Sequence, residues 1–188
     1  MQFRDSRNGN ARIMPIGVLS LAAALIVATA LIPTPAYGIT DVWDSWRFFF
    51  GEWVAEDSSR PEQGSGEFSF TLDLNDNILV RKNHTEYPAT KDKAAIIHDD
   101  LMIIYHDMSG SFRAIYFDNE GHTINYTAEF CGKGDTLTFL SDIIPKMPRF
   151  RLLYIKTGPN EVSISFDIAQ PEKPDEFSTY LRGMARRK

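Results

Sequence analysis

A single cysteine, Cys131, among 188 residues excludes an intramolecular disulfide, so stability has to come from a packed core. Basic clusters are equally scarce. Lysines and arginines are scattered apart from Arg186-Arg187-Lys188 at the end, and 20 of them face 25 acidic residues. That balance argues against nucleic acid or an anionic membrane surface as a partner. No Gly-x-Ser-x-Gly elbow is present, and Cys131 stands beside Gly132 with no obvious histidine partner, which leaves nucleophilic hydrolysis without support. There is no internal repeat and no low-complexity tract. Long hydrophobic runs are absent after the first 40 residues, and no histidine follows His122.

What is present begins with an export-like leader. Arg4, Arg7 and Arg12 precede an uncharged stretch from Ile13 to Ile32, then Pro33, Pro35 and the small-x-small site Ala36-Tyr37-Gly38. This layout predicts a secretory signal over residues 1–38, with Ala28-Thr29-Ala30 as a second cleavage site. The alternative is an uncleaved anchor, because about 20 apolar residues suffice to cross a bilayer. The expected location is periplasmic or secreted, or membrane-anchored through residues 13–32. Residues 39–188 then form one domain. Losing three basic residues and one acidic one leaves this part with a net charge of −7.

That domain reads as a row of strands. Thr40-Asp41 is placed to cap a short helix carrying Trp43, Trp46 and Phe50 on one face, and Gly51-Glu52-Trp53 opens the first strand. Ser58 to Gly66 is a loop. Phe68, Phe70, Leu72 and Leu74 alternate with polar residues, and Asn75-Asp76-Asn77 turns the chain into Ile78–Tyr87, which Pro88 ends. Further strands are expected at Ile96–His106, Phe112–Asp118, His122–Phe130, Thr136–Ser141, Phe150–Lys156 and Val162–Ile168. Thr179–Met184 reads as a strand or a helical turn. Sequential hairpins without a long crossover favour an up-and-down antiparallel β-barrel of about ten strands, an all-β fold with a short N-terminal helix.

The short helix, Gly51-x-Trp53 at the first strand and the meander of hairpins resemble the calycin superfamily of lipocalins, fatty-acid-binding proteins and nitrobindin-type haem barrels. The resemblance implies that Trp53 closes one barrel end beneath a basic side chain from near the last strand, with Arg182 or Arg186 as candidates for a cation–π contact. Leu79-Val80-Arg81-Lys82-Asn83, Glu86-Tyr87-Pro88-Ala89, the run from His98 to Tyr105, the run from Tyr116 to His122, and Pro148-Arg149-Phe150-Arg151-Leu152 are similar to a bacterial calycin-like family of unknown function. No activity comes with that likeness, since a fold does not supply one. Nitrobindin-type relatives take their iron-binding histidine late in the chain. This sequence has none there, although Met147, Tyr154 and Tyr180 are possible substitutes, and no cofactor is assigned.

His98, His106 and His122 invite a metal reading, with Asp99, Asp100, Asp118 and Glu120 nearby, but no recognised ligand spacing occurs and no metal site is assigned. Asp118 and His122 flank the tight Asn119-Glu120-Gly121 turn, so their side chains can meet. The outcome would be an oriented general base or, more simply, an aspartate capping its own turn. Arg81 and Asn83 share a strand face with Leu79 and Tyr87, and Arg149 and Arg151 share one with Leu153 and Ile155. A row that points inward needs an internal carboxylate or the acid group of a ligand, and the parity of both rows is open.

The first expectation is therefore an exported binding protein holding a small, mostly apolar molecule in its barrel. Arg81, Asn83, His98, Tyr116, Asp118, His122 and Arg151 are the candidate ligand contacts. Two other readings remain: an enzyme using His98, Asp118 and His122 at the barrel mouth, and a barrel filled by its own side chains.

Overall fold

The computed structural model describes residues 41–56 and 64–188. The expected leader, anchor and cleavage sites lie outside the described residues, as does most of the Ser58–Gly66 loop. Among the described residues no helix is long and apolar enough to cross a membrane.

Ten antiparallel strands close into a barrel, each paired with its neighbour in sequence, with the last returning to the first. They are β1 (Gly51–Ala55), β2 (Ser65–Asp73), β3 (Ile78–Tyr87), β4 (Ile96–His106), β5 (Phe112–Asp118), β6 (Thr123–Cys131), β7 (Thr136–Ser141), β8 (Arg149–Gly158), β9 (Glu161–Ala169) and β10 (Phe177–Arg187). Closure removes every free edge, which an open sheet of alternating strands would leave exposed. A 3-10 helix, Asp44–Phe49, precedes β1. Its three-residue turn buries Trp46 and Phe49 together, so Phe49 and not Phe50 shares the inner face with Trp46.

Side-chain alternation fixes the inner face. Phe68 and Phe70 of β2, Leu79 of β3, Met102 and Ile104 of β4, Tyr126 of β6, Phe139 of β7 and Tyr154 of β8 are all buried in one core with Trp43, Trp46 and Phe49. Leu74 was expected to extend the inner row of β2, but it lies in the β2–β3 turn and is exposed. Leu74, Asn75 and Asp76 run at φ of 52°, 54° and 63°, a left-handed stretch that ends the strand at Asp73. Asn77 Nδ2 donates to the Leu74 carbonyl at 2.6 Å, and Trp43 Nε1 donates to the Asp76 carbonyl at 2.7 Å, tying the turn to the helix segment.

Trp53, fully buried, stacks on Phe68 with ring centroids 5.9 Å apart and donates its Nε1 hydrogen to the Phe49 carbonyl at 2.9 Å. The basic side chain over its ring is Arg187, whose guanidinium carbon lies 4.5 Å from the ring centroid. Arg187 also donates to the carbonyls of Phe48 and Phe50. Arg182 and Arg186 are exposed on the opposite face, because the β1–β10 register places Arg187 beside Trp53 and Arg186 beside Val54. Gly51 (φ 100°) makes the sharp exit from the helix, and a Cβ there would meet Arg187 Nη1 at 3.4 Å. Lys156 Nζ covers the Phe48 ring from 4.8 Å, completing the seal at this end of the barrel.

Candidate functional site

Among the described residues, no helix covers the opposite end. Inward-facing side chains there (Tyr116 of β5, Ile124 of β6, Phe150 of β8, Phe166 of β9) pack against the core but stay half-exposed. Deeper along the axis lie Phe68, Arg81, Leu152 and Tyr154, all buried. Phe150 and Phe166 stack at 5.8 Å on one wall, and the exposed Tyr180 meets Phe166 edge-on at 6.3 Å.

The facing wall is polar. The register aligns Phe68 with Asn83, Asn83 with Asp100, and Asp100 with Asp118, so these four share the inner face across β2 to β5. Arg81 therefore points inward and is 6 % exposed. Its Nε donates to Tyr154 Oη at 2.6 Å, and its Nη1 donates to Asp100 Oδ1. Burial opposes the guanidinium charge, but Asp100 and then Tyr154 outweigh it, and the Arg81 pKa moves up. Burial pushes the Tyr154 phenol up to about 12 despite Arg81. Asn83 Nδ2 donates to Thr85 Oγ1 at 3.2 Å.

His98, Tyr116, Asp118 and His122 form one hydrogen-bonded chain. His98 Nε2 lies 3.2 Å from Tyr116 Oη, which donates to Asp118 Oδ2 at 3.2 Å, and His122 Nδ1 meets the same oxygen at 2.8 Å. Asp118 Oδ1 accepts the backbone N–H of Glu120 at 3.0 Å and of His122 at 2.8 Å. Asp118 thus caps its own turn and also meets His122. Burial would raise its pKa, but the His122 backbone and side-chain bonds and the Glu120 N–H bring it below the usual carboxylate value. His98 Nδ1 lies 3.0 Å from Glu120 Oε1, and Nε2 lies 3.6 Å from Asp100 Oδ2. Asp100 foremost, against burial and helped by Glu120, lifts the His98 pKa to about 9. Burial first, then the negative charges of Asp100 and Asp118, raise the Tyr116 phenol.

Two sequence candidates lie elsewhere. Arg151 is on the outer wall, where its Nε and Nη2 donate to Asp167 Oδ2 at 3.0 and 2.8 Å and its guanidinium covers the Phe177 ring at 4.3 Å. The register pairs Leu152 with Phe166 on the inside, which forces Arg151 and Asp167 to the outside. His106 stands at the sealed end against Phe112, eight residues along β4 from His98, about 26 Å away in an extended strand. The three histidines do not share a rim, and among the described residues no three His, Cys, Asp or Glu side chains converge on a metal-sized space.

Asp100 and Tyr154, the partners of Arg81, were not singled out from sequence as contacts. Asp100 was visible in principle: it interrupts the apolar inner row that continues through Met102 and Ile104. A depression of about 600 Å³ is lined by outward residues such as Lys82, His84, Asp99 and Lys188 and also by Phe68, Asn83, Asp100 and Asp118 of the polar wall. Among its charges, His84 pairs with Asp99 and Lys188 with Glu67.

No protein-family model matches the chain, and no curated protein matches it. What stands without them is the closed ten-strand barrel and the geometry of its two unlike ends.

Proposed function

We propose that the chain is an exported, calycin-like binding protein that holds a small, mostly apolar molecule in a cup at the barrel end opposite the helix. One observation carries this reading. Trp46 and Phe49 of the helix are fully buried at one end of the barrel, while the inward-facing Tyr116, Ile124, Phe150 and Phe166 at the other keep partial contact with solvent. An aromatic wall beside a few fixed polar groups is the usual make-up of a small-molecule site. His98, Tyr116, Asp118 and Asn83 are the polar contacts within reach. Arg81 stands at the floor.

Acid/base chemistry by His98, Asp118 and His122 has less behind it, because both Asp118 oxygens are already occupied by two bonds each. A barrel filled by its own side chains fits the core packed beneath the helix.

Native against denaturing mass spectrometry of the purified chain, with titration of the uncharged fluorophore N-phenyl-1-naphthylamine, tests the proposal. Expected are a discrete extra mass or saturable 1:1 fluorescence, lost in an Ile124→Trp variant that fills the cup. Non-saturating fluorescence, insensitive to that variant, sinks it.

A further inference from the structure

We infer that the cup selects a ligand whose polar end is an uncharged acceptor (an ester, amide, ketone or alcohol oxygen) and discriminates against a carboxylate. This rests on the binding reading above and specifies its ligand class.

The inference comes from which groups are still available. Arg81 is the one cation at the floor, and it is already neutralised by Asp100 on the next strand. Its Nε is committed to Tyr154. Among the described residues nothing accepts a hydrogen bond from Nη2, and the only buried side-chain polar atom left without a partner is Trp46 Nε1. Nη2 therefore opens onto the cup. Phe68 and Tyr154 lie with ring centroids 5.7 and 5.9 Å from the guanidinium carbon, restricting access to that edge. Asn83, the next inward residue of β3, uses one N–H on Thr85 and keeps a second. What faces a ligand here is a pair of N–H donors.

Charge then decides among acceptors. The inner and rim groups are the cations Arg81 and His98 and the anions Asp100, Asp118 and Glu120, so the wall is already one charge negative with His98 protonated. A carboxylate would gain bonds from Arg81 and Asn83 but would sit beside Asp100, in a setting where like charges repel strongly. An ammonium would be drawn by the net charge, yet at the floor it would meet the Arg81 guanidinium, a like charge that donates and does not accept. A neutral oxygen takes the donors without either cost. The barrel that encloses an arginine thus does so with its counter-ion built in.

The test uses the full chain and a twelve-carbon series: dodecanoic acid, dodecylamine, methyl dodecanoate and dodecanamide, each displacing N-phenyl-1-naphthylamine at pH 7.5. The neutral compounds are expected to bind at least about tenfold tighter than the acid or the amine, the worth of one charge-assisted contact. Because a charged head is also better hydrated, the deciding readout is a ratio. Asp100→Asn, which unmasks Arg81, should shift the acid-to-ester affinity ratio toward the acid by about tenfold or more. An acid that binds as tightly as the ester in the wild type, or an unmoved ratio in a folded Asp100→Asn, overturns the head-group inference while the cup stands. If Asp100→Asn does not fold, Arg81→Met serves in its place: the ester and amide should weaken about tenfold, and unchanged affinity overturns the inference. Failure of every compound, and of the fluorophore, overturns the binding reading itself.

Discussion

Arg187 lies flat over Trp53, its guanidinium carbon 4.5 Å from the ring centroid, and its two amino groups reach back to the carbonyls of Phe48 and Phe50. One side chain therefore joins the last strand, the first strand and the helix. Arg187→Ala should lower the unfolding free energy by about 2–3 kcal/mol, through one cation–π contact and two charged hydrogen bonds. Arg182→Ala and Arg186→Ala, both exposed, should stay within about 0.5 kcal/mol of wild type. Urea denaturation compares the three. Equal losses would mean that the contact over Trp53 is incidental.

Protonated His98 is favoured by folding, since its pKa rises to about 9 from an unfolded value near 6.5. Its stabilisation is fully present below about pH 6.5 and is lost as the pH climbs through about 9. Thermal melting from pH 6 to 9.5 should therefore show a decline that His98→Gln flattens. Parallel wild-type and mutant profiles would show that the Asp100–His98–Glu120 contacts carry no net linkage. A proton NMR titration of the ring gives the pKa directly.

Asp118 behaves in the opposite sense. Its folded pKa is depressed, so its contribution is present above the unfolded value near 4 and disappears as acid protonates it. Asp118→Ala strips acceptors from two backbone N–H groups of the β5–β6 turn and from Tyr116 and His122. A loss of about 2–3 kcal/mol at pH 7, shrinking toward pH 3, is expected in chemical denaturation. Faster amide exchange at Glu120 and His122 should accompany it. Unaltered exchange would remove the turn-capping role.

Trp43 and Trp46 separate a hydrogen-bonded indole from an unbonded one within one aromatic cluster. Trp43 Nε1 reaches the Asp76 carbonyl at 2.7 Å, whereas Trp46 Nε1 has no partner among the described residues. Both Phe variants lose similar volume, so Trp43→Phe should cost about 1 kcal/mol more than Trp46→Phe. The reverse order in denaturation midpoints would contradict the assignment.

Arg151 and Arg81, indistinguishable in sequence as ligand contacts, should part in experiment. Arg151→Ala leaves the buried Asp167 with Ser165 as its remaining close donor at 2.6 Å and should destabilise by about 2 kcal/mol. Fluorophore affinity should not change. A lost site in a folded Arg151→Ala protein would place the outer wall in the binding machinery.

Strand positions were readable where polar and apolar residues alternate between turn signals. Ile78–Tyr87, Ile96–His106, Phe112–Asp118 and Thr136–Ser141 coincide with β3, β4, β5 and β7. Facing was harder, because direction is decided by neighbours. In β8 the rows through Leu152 and Leu153 are both apolar, and only the register with β7 and β9 turns Leu152 inward. In β10 the inward row, Leu181, Gly183, Ala185 and Arg187, carries little more apolar signal than the alternate row through Met184. An irregularity between Thr179 and Leu181 also shifts the phase. That is why Arg187 was displaced by one residue in the sequence reading. The polar wall was legible as single residues, Arg81, His98, Tyr116, Asp118 and His122, but not as a network. Arg81's partners lie 19 and 73 residues away in the chain, and no local pattern connects them.

The pairing of β1 with β10 has a consequence during synthesis. β1 gains one neighbour as soon as β2 exists, but its other edge waits until Arg187, more than 130 residues after Ala55, has left the ribosome. Every shorter nascent chain carries two unsatisfied sheet edges and an aromatic interior without its lid, the kind of surface on which strands from different molecules pair. Chains arrested before β10 should be ready clients of holdase chaperones, and removal of only the final strand should drive the protein to aggregate.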